Sequence, residues 1–305
     1  DSSARTLATV IVLNGGVRTA GAGNLNFTDT TPINLSANRT FFIANPVTRF
    51  AQAFTGLGFG ITMDYTGAGT LILAGNNSYT ATTLVNGGTL VLTGDNSATT
   101  GLVNLSSRFG VPVGIVLGHD NALGSGTLTL STAGVTVEAQ GTRTIANAIA
   151  ANADFAIVGT DPLTLGGTMT LNNNHNITNN NTTSTTTLGY ITGANRNLTF
   201  YGDGNTTVTI NIETGTGQLI KNGAGTLTLS GFNTYAGNTT IRGGTLALGS
   251  SGSITITPQI DVQTSANFDV SAVSGFTLDN AQTLKGNGTV IGPVVVNNGT
   301  VSPGA

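Results

Sequence analysis

Cysteine and tryptophan are absent from this chain, and lysine, glutamate, histidine and methionine occur only twice each. Without cysteine there are no disulfides, no thiolate metal sites and no cysteine nucleophile. Charged residues make up 8% of the chain and the formal net charge is −3. The eight Arg and two Lys are scattered, so no surface can neutralise a run of phosphates, and nucleic acid is excluded as a partner. Glu stands only at Glu138 and Glu213 and Lys only at Lys221 and Lys285, which leaves no alphabet for long amphipathic helices. No run of eighteen apolar residues exists, so no transmembrane helix is expected. Leu7 to Leu13 is apolar but follows Asp1 without a basic segment; it reads as a strand in a chain that starts after processing.

What is abundant is Gly, at 44 residues, together with Thr and Asn, the vocabulary of strands and tight corners. One stretch is written twice. Gly223 to Ser250, GAGTLTLSGFNTYAGNTTIRGGTLALGS, aligns without gaps on Gly67 to Gly94, GAGTLILAGNNSYTATTLVNGGTLVLTG, with about half the positions identical. In each copy two short alternating runs flank a Gly/Asn/Thr-rich segment that holds one Tyr. Alternation with period two means half-buried strand, with Leu227, Leu229, Leu246 and Leu248 on one face and their Thr and Ala neighbours on the other. The unit is strand, corner, strand, corner.

The pattern resembles the autotransporter-associated β-strand repeat of bacterial autotransporter passenger regions. It is carried by Gly67, Gly69 to Leu71, Leu73, Gly75, Asn77, Tyr79, Thr83 and Gly88 to Leu90. It recurs at Gly223, Gly225 to Leu227, Leu229, Gly231, Asn233, Tyr235, Gly237, Thr239 and Gly244 to Leu246. The first copy departs at Ala81, where the second has Gly237. Ala122 to Leu130 and Leu284 to Ala305 are similar in style. The resemblance implies an all-β fold, a right-handed parallel β-helix or β-solenoid, exported to the cell surface of a Gram-negative-type bacterium. It implies no single activity.

Two segments are expected: a cap or interface over residues 1–60 and a continuous solenoid over 61–305, since a solenoid has no globular size limit. Six of the twelve Phe fall in the first, at Phe27, Phe41, Phe42, Phe50, Phe54 and Phe59. Bulky aromatics there suit either a cap over an open apolar end or a face that receives another subunit. At the other end the chain alternates up to Val301 and stops at Ser302, Pro303, Gly304 and Ala305 with no polar cap, a template for strand pairing. Phe41, Phe42, Phe50, Phe54, Phe59, Val301 and Pro303 are therefore the candidate subunit interface, for identical units stacked end to end into filaments. Between these ends, Arg108, Phe109 and Pro112 mark a less regular stretch. Thr144 to Ala151 reads as strand and corner despite some helical flavour. The polar tract Leu171 to Leu188 is either a disordered loop or a ladder of stacked Asn.

Candidates for chemistry are few. His119 and His175 alone can titrate near neutrality as His, and His119 and Asp120, as strand neighbours, point to opposite faces. No GxSxG elbow is present, so no Ser is favoured as a nucleophile. A glycan-cleaving site wants clustered acids; the nearest grouping is Asp261, Asp269 and Asp279, which align only if their spacing matches the turn length. Sugar platforms favour Trp, which is missing. Gly202 to Asn205 is a fragment of a calcium turn without the repeat that gives affinity, and Gly56 to Gly60 lacks dinucleotide-loop spacing. Outward Thr, as in Thr127/Thr129 and Thr226/Thr228, would suit ice binding if the array were regular. Tyr79 and Tyr235 are expected to staple corners. No catalytic residue, cofactor or metal is assigned. The expectation is a non-enzymatic extracellular structural protein, scaffolding or adhesive. Its runner-up is a monomeric adhesin segment with a cell-surface or glycan ligand.

Overall fold

A computed structural model describes residues 3–64, 69–108, 110–279 and 281–304. Among them there is no helix, and every named strand pairing is parallel. The fold is a parallel β-solenoid, as the repeat and composition lead one to expect. The chain divides into two compact units, residues 1–155 and 156–305.

In the first unit one face stacks Arg5–Leu7, Leu25–Phe27, Val47–Phe50, Thr70–Leu73, Gly88–Leu92, Val113–Leu117 and Val135–Ala139. A second stacks Val17–Thr19, Arg39–Ile43, Ile61–Asp64, Thr83–Val85, Val103–Leu105, Leu128–Leu130 and Ile149–Ala151, and a short third joins Ile33–Asn34, Phe54–Gly56 and Ser78–Tyr79. In the second unit one face stacks His175–Asn179 through Thr300–Pro303 and another Leu163–Leu165 through Thr289–Ile291. Met169–Leu171, Ile191–Thr192 and Ile212–Glu213 pair in a row on a third, and Phe276–Leu278 with Val294–Val296 forms a two-stranded sheet.

Alternation does the sorting the sequence promised. Leu227, Leu229, Leu246 and Leu248 are buried, with Thr226, Thr228 and Ala247 half-exposed between them. The register explains why the repeat contains two such runs: Leu227 lies on Leu246 and Leu229 on Leu248, and in the first copy Leu71 lies on Leu90 and Leu73 on Leu92. The second run of each copy is thus the first run's neighbour one turn later, and the segment between them is the rest of the turn. The turn is not fixed in length. Thr70 pairs nineteen residues on, with Thr89, whereas Gly88 pairs twenty-five on, with Val113, and the corners take up the difference.

The Phe-rich start is wound like the turns that follow it. Arg39–Ile43 pairs in register with Ile61–Asp64 across residue 60, and Val47–Phe50 with Thr70–Leu73, so these residues are ordinary turns of the solenoid. Phe41, Phe50 and Phe54 are completely buried inside it, each from a different face of the coil. Phe27 stacks on Phe50 at 4.6 Å between ring centroids, and Phe41, Phe50 and Phe54 meet edge to face at 5.4–5.8 Å. They fill the core in place of the aliphatics used elsewhere. Phe42 points outward under the Arg18 guanidinium, 5.2 Å from the ring centroid, and Phe59 is half-buried at a corner. Phe109 and Ala305 lie outside the described residues, as do Gly67 and Ala68 at the start of the first repeat copy.

One core group is unsatisfied. Gln52, fully buried at the corner after Val47–Phe50, has no hydrogen-bond partner on either amide atom among the described residues. A buried unpaired amide costs about 1–3 kcal/mol. Gln52→Met, close in length and without the amide, is expected to raise the thermal unfolding midpoint, by about 1–2 kcal/mol in stability. A lower midpoint in a melting curve would show that the amide has a partner.

Candidate functional site

Parallel ladders satisfy backbone groups along the strands and leave them open at the corners. This chain closes them with Asn and Asp. The Asn77 side-chain oxygen accepts the Phe54 N–H at 2.8 Å from the preceding turn, and its amide donates to Gly75 O at 3.0 Å. The Asn96 oxygen accepts both the N–H and the side-chain amide of Asn77 at 2.9 Å, and the Asn96 amide donates to Ala122 O at 2.7 Å. Asn77 and Asn96 are buried, and together they bind four consecutive turns. The equivalent Asn233 accepts from Ile212 N at 2.9 Å and donates to Gly231 O at 2.9 Å and Ser253 O at 3.0 Å. On exposed corners the same arrangement runs from Asn174 to the Asn197 N–H and from Asn197 to the Gln218 N–H, each at 2.9 Å.

The tyrosines complete these corners. Tyr79 OH is hydrogen-bonded to Thr83 Oγ1 at 2.6 Å and Tyr235 OH to Thr239 Oγ1 at 2.8 Å, all buried, at matching positions of the two copies. Burial pushes the Tyr79 phenol up to about 12, against a smaller lowering by Thr83, and raises Tyr235 likewise. Tyr79→Phe and Tyr235→Phe each leave a buried threonine hydroxyl one partner short. Losses of about 1 kcal/mol are expected, smaller for Tyr235→Phe because Thr239 retains a contact to Thr257 at 3.1 Å. Urea unfolding of the two variants checks the order.

The polar tract is a ladder rather than a loop. His175–Asn179 and Thr186–Leu188 are strands, with Asn179 and Asn181 buried. Asn179 donates to Asn205 O at 2.9 Å and to Thr206 Oγ1 at 3.0 Å in the next turn, while Asn181 donates to Asp161 O at 2.8 Å. His175 lies in this wall, 4% exposed, and its Nε2 accepts the Asn173 N–H at 3.3 Å. Thr144 to Ala151 is strand and corner, Arg143–Ile145 followed by Ile149–Ala151. Gly202 to Asn205 is a corner staple: Asp203 accepts from Ala224 N at 3.1 Å and Asn205 from Thr226 N at 2.9 Å. Gly56 to Gly60 is likewise a corner, where Gly58 N–H donates to Thr80 Oγ1 at 2.8 Å.

The three late aspartates are not brought together. Asp261, Asp269 and Asp279 belong to or follow Gln259–Val262, Ala266–Asp269 and Phe276–Leu278, which lie in three different sheets. The outward Thr file on the second unit, Thr164, Thr187, Thr207 and Thr228, continues into Ala247 and Asp269, so it forms no regular array. No group of three metal-ligating side chains occurs among the described residues.

One corner brings Ser, Asp and His together, a convergence the sequence reading missed. Asp95 is half-exposed and held below the usual carboxylate range, first by the Ser97 N–H at 3.0 Å, then by the Ser97 hydroxyl and by Asn121, with a smaller contribution from His119. The arrangement cannot work as a triad. His119 Nδ1 accepts the Asn121 N–H at 3.0 Å, so it has no N–H to give to a carboxylate, and the carboxylate instead holds the serine.

Lys221 was also missed. Alternation in Leu219–Lys221 turns it inward with Leu219, the one signal in the sequence that could have found it. Its Nζ donates to Gly223 O at 2.8 Å, Asn222 O at 3.0 Å and Gly243 O at 3.3 Å. Burial lowers its ammonium to about 8, opposed by the Asp203 carboxylate. A lysine depressed in the folded state destabilises fully below its folded value and ceases to do so above its unfolded one. Stability is therefore expected to rise from pH 8 to about 10 and then to fall as Tyr79 and Tyr235, raised in the fold, ionise first in the unfolded chain. Chemical unfolding across pH 7–12 tests this, and a monotonic decline above pH 8 would refute the Lys221 part.

The passenger-associated transport repeat family matches residues 65–92 and 219–248, the two copies whose runs stack on one another. Two turns of the solenoid are passenger-associated transport repeats, and the whole fits an autotransporter passenger β-helix. The chain is also similar to an extracellular serine protease of Serratia marcescens, 37% identical over 90 residues, which are 30% of this chain and 7% of that protein. The matched stretch is thus a small part of the relative. No solved structure matches. Among the described residues no helix is long and apolar enough to cross a membrane.

Proposed function

We propose that this passenger solenoid is a non-enzymatic structural element on the outside of a Gram-negative-type bacterium, a scaffold that holds itself and what it carries clear of the cell. The observation that carries the reading is the use to which the corner side chains are put. Asn77, Asn96, Asn179 and Asn233 tie turns to their neighbours, the two tyrosines close corners within a turn, and the Ser/Asp/His convergence has its histidine in the wrong sense for nucleophile activation. Stacked turns with buried polar ladders resist local opening, the step proteases need. Prolonged exposure to proteinase K should leave the solenoid intact, and the chain should not hydrolyse casein. Rapid degradation would remove the scaffold reading, and hydrolysis lost on Ser97→Ala would remove the non-enzymatic one.

In this reading copies associate end to end. Its support is exposed apolar surface on Val294–Val296 and Thr300–Pro303, where Val296 is 51% and Val301 50% exposed. Of the interface candidates, Val301, Pro303, Phe42 and Phe59 retain exposed surface, and Phe41, Phe50 and Phe54 act only as the core beneath. Negative-stain microscopy should show filaments that Val301→Lys breaks into short particles. Short particles from the unaltered chain would overturn association.

A further inference from the structure

We propose that the outward surface formed by Arg242, Asp261, Gln263, Thr264 and Lys285 binds a carboxylated polysaccharide, with a uronate carboxylate on the Arg242 guanidinium. This rests on the surface-scaffold reading and gives that scaffold a ligand. The register builds the site. Thr240 pairs with Asp261 and Asp261 with Lys285, and because Ile241, Ile260, Val262 and Leu284 are buried, this file faces outward. Two positions along the strands a second file runs parallel to it, Arg242 beside Gln263, where Gln263 N–H donates to Ile241 O at 2.9 Å. Neighbouring strands lie ~4.8 Å apart, so the files make a small polar grid. Arg242, Asp261 and Gln263 line an open depression of about 390 Å³ that also takes in Thr264, Gly286 and Asn287, with Lys285 beside it.

The charges select the ligand. Lys285 Nζ lies 3.9 Å from the Asp261 carboxylate, so these two largely cancel. Arg242 is exposed, and its guanidinium has no hydrogen-bond or ion-pair partner among the described residues. The grid therefore offers one uncompensated, bidentate cation beside exposed amide and hydroxyl groups at Gln263 and Thr264. A phosphate dianion would want two such cations, and a neutral sugar would leave Arg242 unmatched. A sugar acid presents one carboxylate and several hydroxyls per residue. A shallow, open site holds a single residue weakly, which favours a polymer that returns after each dissociation.

The test is titration of the full chain with polygalacturonate, with dextran as the neutral control and poly-L-glutamate as a polyanion without hydroxyls. Polygalacturonate is expected to bind, dextran not to bind, and poly-L-glutamate to bind about tenfold more weakly or worse. Arg242→Gln should weaken polygalacturonate binding about tenfold, and Asp261→Asn, which frees Lys285, should tighten it severalfold. Both positions face solvent, and unchanged unfolding midpoints verify that the fold survives. Absence of polygalacturonate binding, equal binding of poly-L-glutamate, or indifference to Arg242→Gln would overturn the proposal. None of these outcomes alters protease resistance or filament formation, so the two readings fail separately.

Discussion

Gly244→Ala is expected to unfold the second unit or cost it more than 3 kcal/mol, while Gly243→Ala next to it costs less than about 1 kcal/mol. The contrast comes from the backbone. Gly244 opens the second alternating run of the repeat at φ +62, and an added Cβ would stand 2.5 Å from both Gly223 O and Gly225 O of the preceding turn. Gly225 O accepts the Thr245 N–H and Gly223 O accepts Lys221 Nζ, so neither can withdraw without losing its bond. At Gly243 the nearest atom to a new Cβ is 3.4 Å away, an ordinary contact. Gly88, the equivalent residue of the first copy, has φ +76 and a Cβ position 2.3 Å from Gly69 O. Gly88→Ala should therefore repeat the effect in the first unit. The second glycine of the repeat's GG pair is there because two turns touch at that point. Equal stabilities for Gly243→Ala and Gly244→Ala would mean that the turns do not approach as described.

The second large effect is expected at Phe50. Its ring stacks on Phe27 and meets Phe41 and Phe54 edge to face, at 1% exposure. Phe50→Ala removes the centre of that cluster, and the surrounding β-sheet faces, held at fixed strand spacing, cannot collapse into the space. A loss of about 3–5 kcal/mol follows, at the upper end if the cavity stays open. Phe42→Ala, one strand over and outward, loses only its contact with Arg18 and should cost about 1 kcal/mol or less. Differential scanning calorimetry of the pair separates a core aromatic from an outward-facing, half-buried one. Comparable losses for the two would contradict the inward placement of Phe50.

How much of this was legible depends on where the deciding information lay. Leu227, Leu229, Leu246 and Leu248 announced their faces because alternation is local and the repeat displayed it twice. Which run stacks on which was legible only in part: two runs per copy could be a hairpin or successive turns, and the parallel pairing of Leu227 with Leu246 decides for turns. The Phe-rich start misled because aromatic content alone does not distinguish core from cap. Phe41 and Phe42 are adjacent and identical, yet one points in and the other out. The polar tract could not be resolved locally at all, since Asn179 is satisfied by Asn205 and Thr206 a full turn away. The Asp95–His119 encounter and the Arg242 grid have the same origin: residues more than twenty positions apart meet because of turn lengths that vary with each corner.

The central claim is that each repeat copy closes one turn, with its second run lying in register on its first. A chain without cysteine allows this to be read directly by pairing introduced thiols. Thr228 and Ala247 are register partners facing outward, within the 4.4–6.8 Å Cα separation that a disulfide spans. The double variant Thr228→Cys with Ala247→Cys should form its disulfide quantitatively under mild oxidation. Thr226→Cys with Ala247→Cys, on the same face but displaced by two residues, should stay reduced. Cross-linking of the displaced pair with the aligned pair left as thiols would place the two runs in a different register and contradict the account.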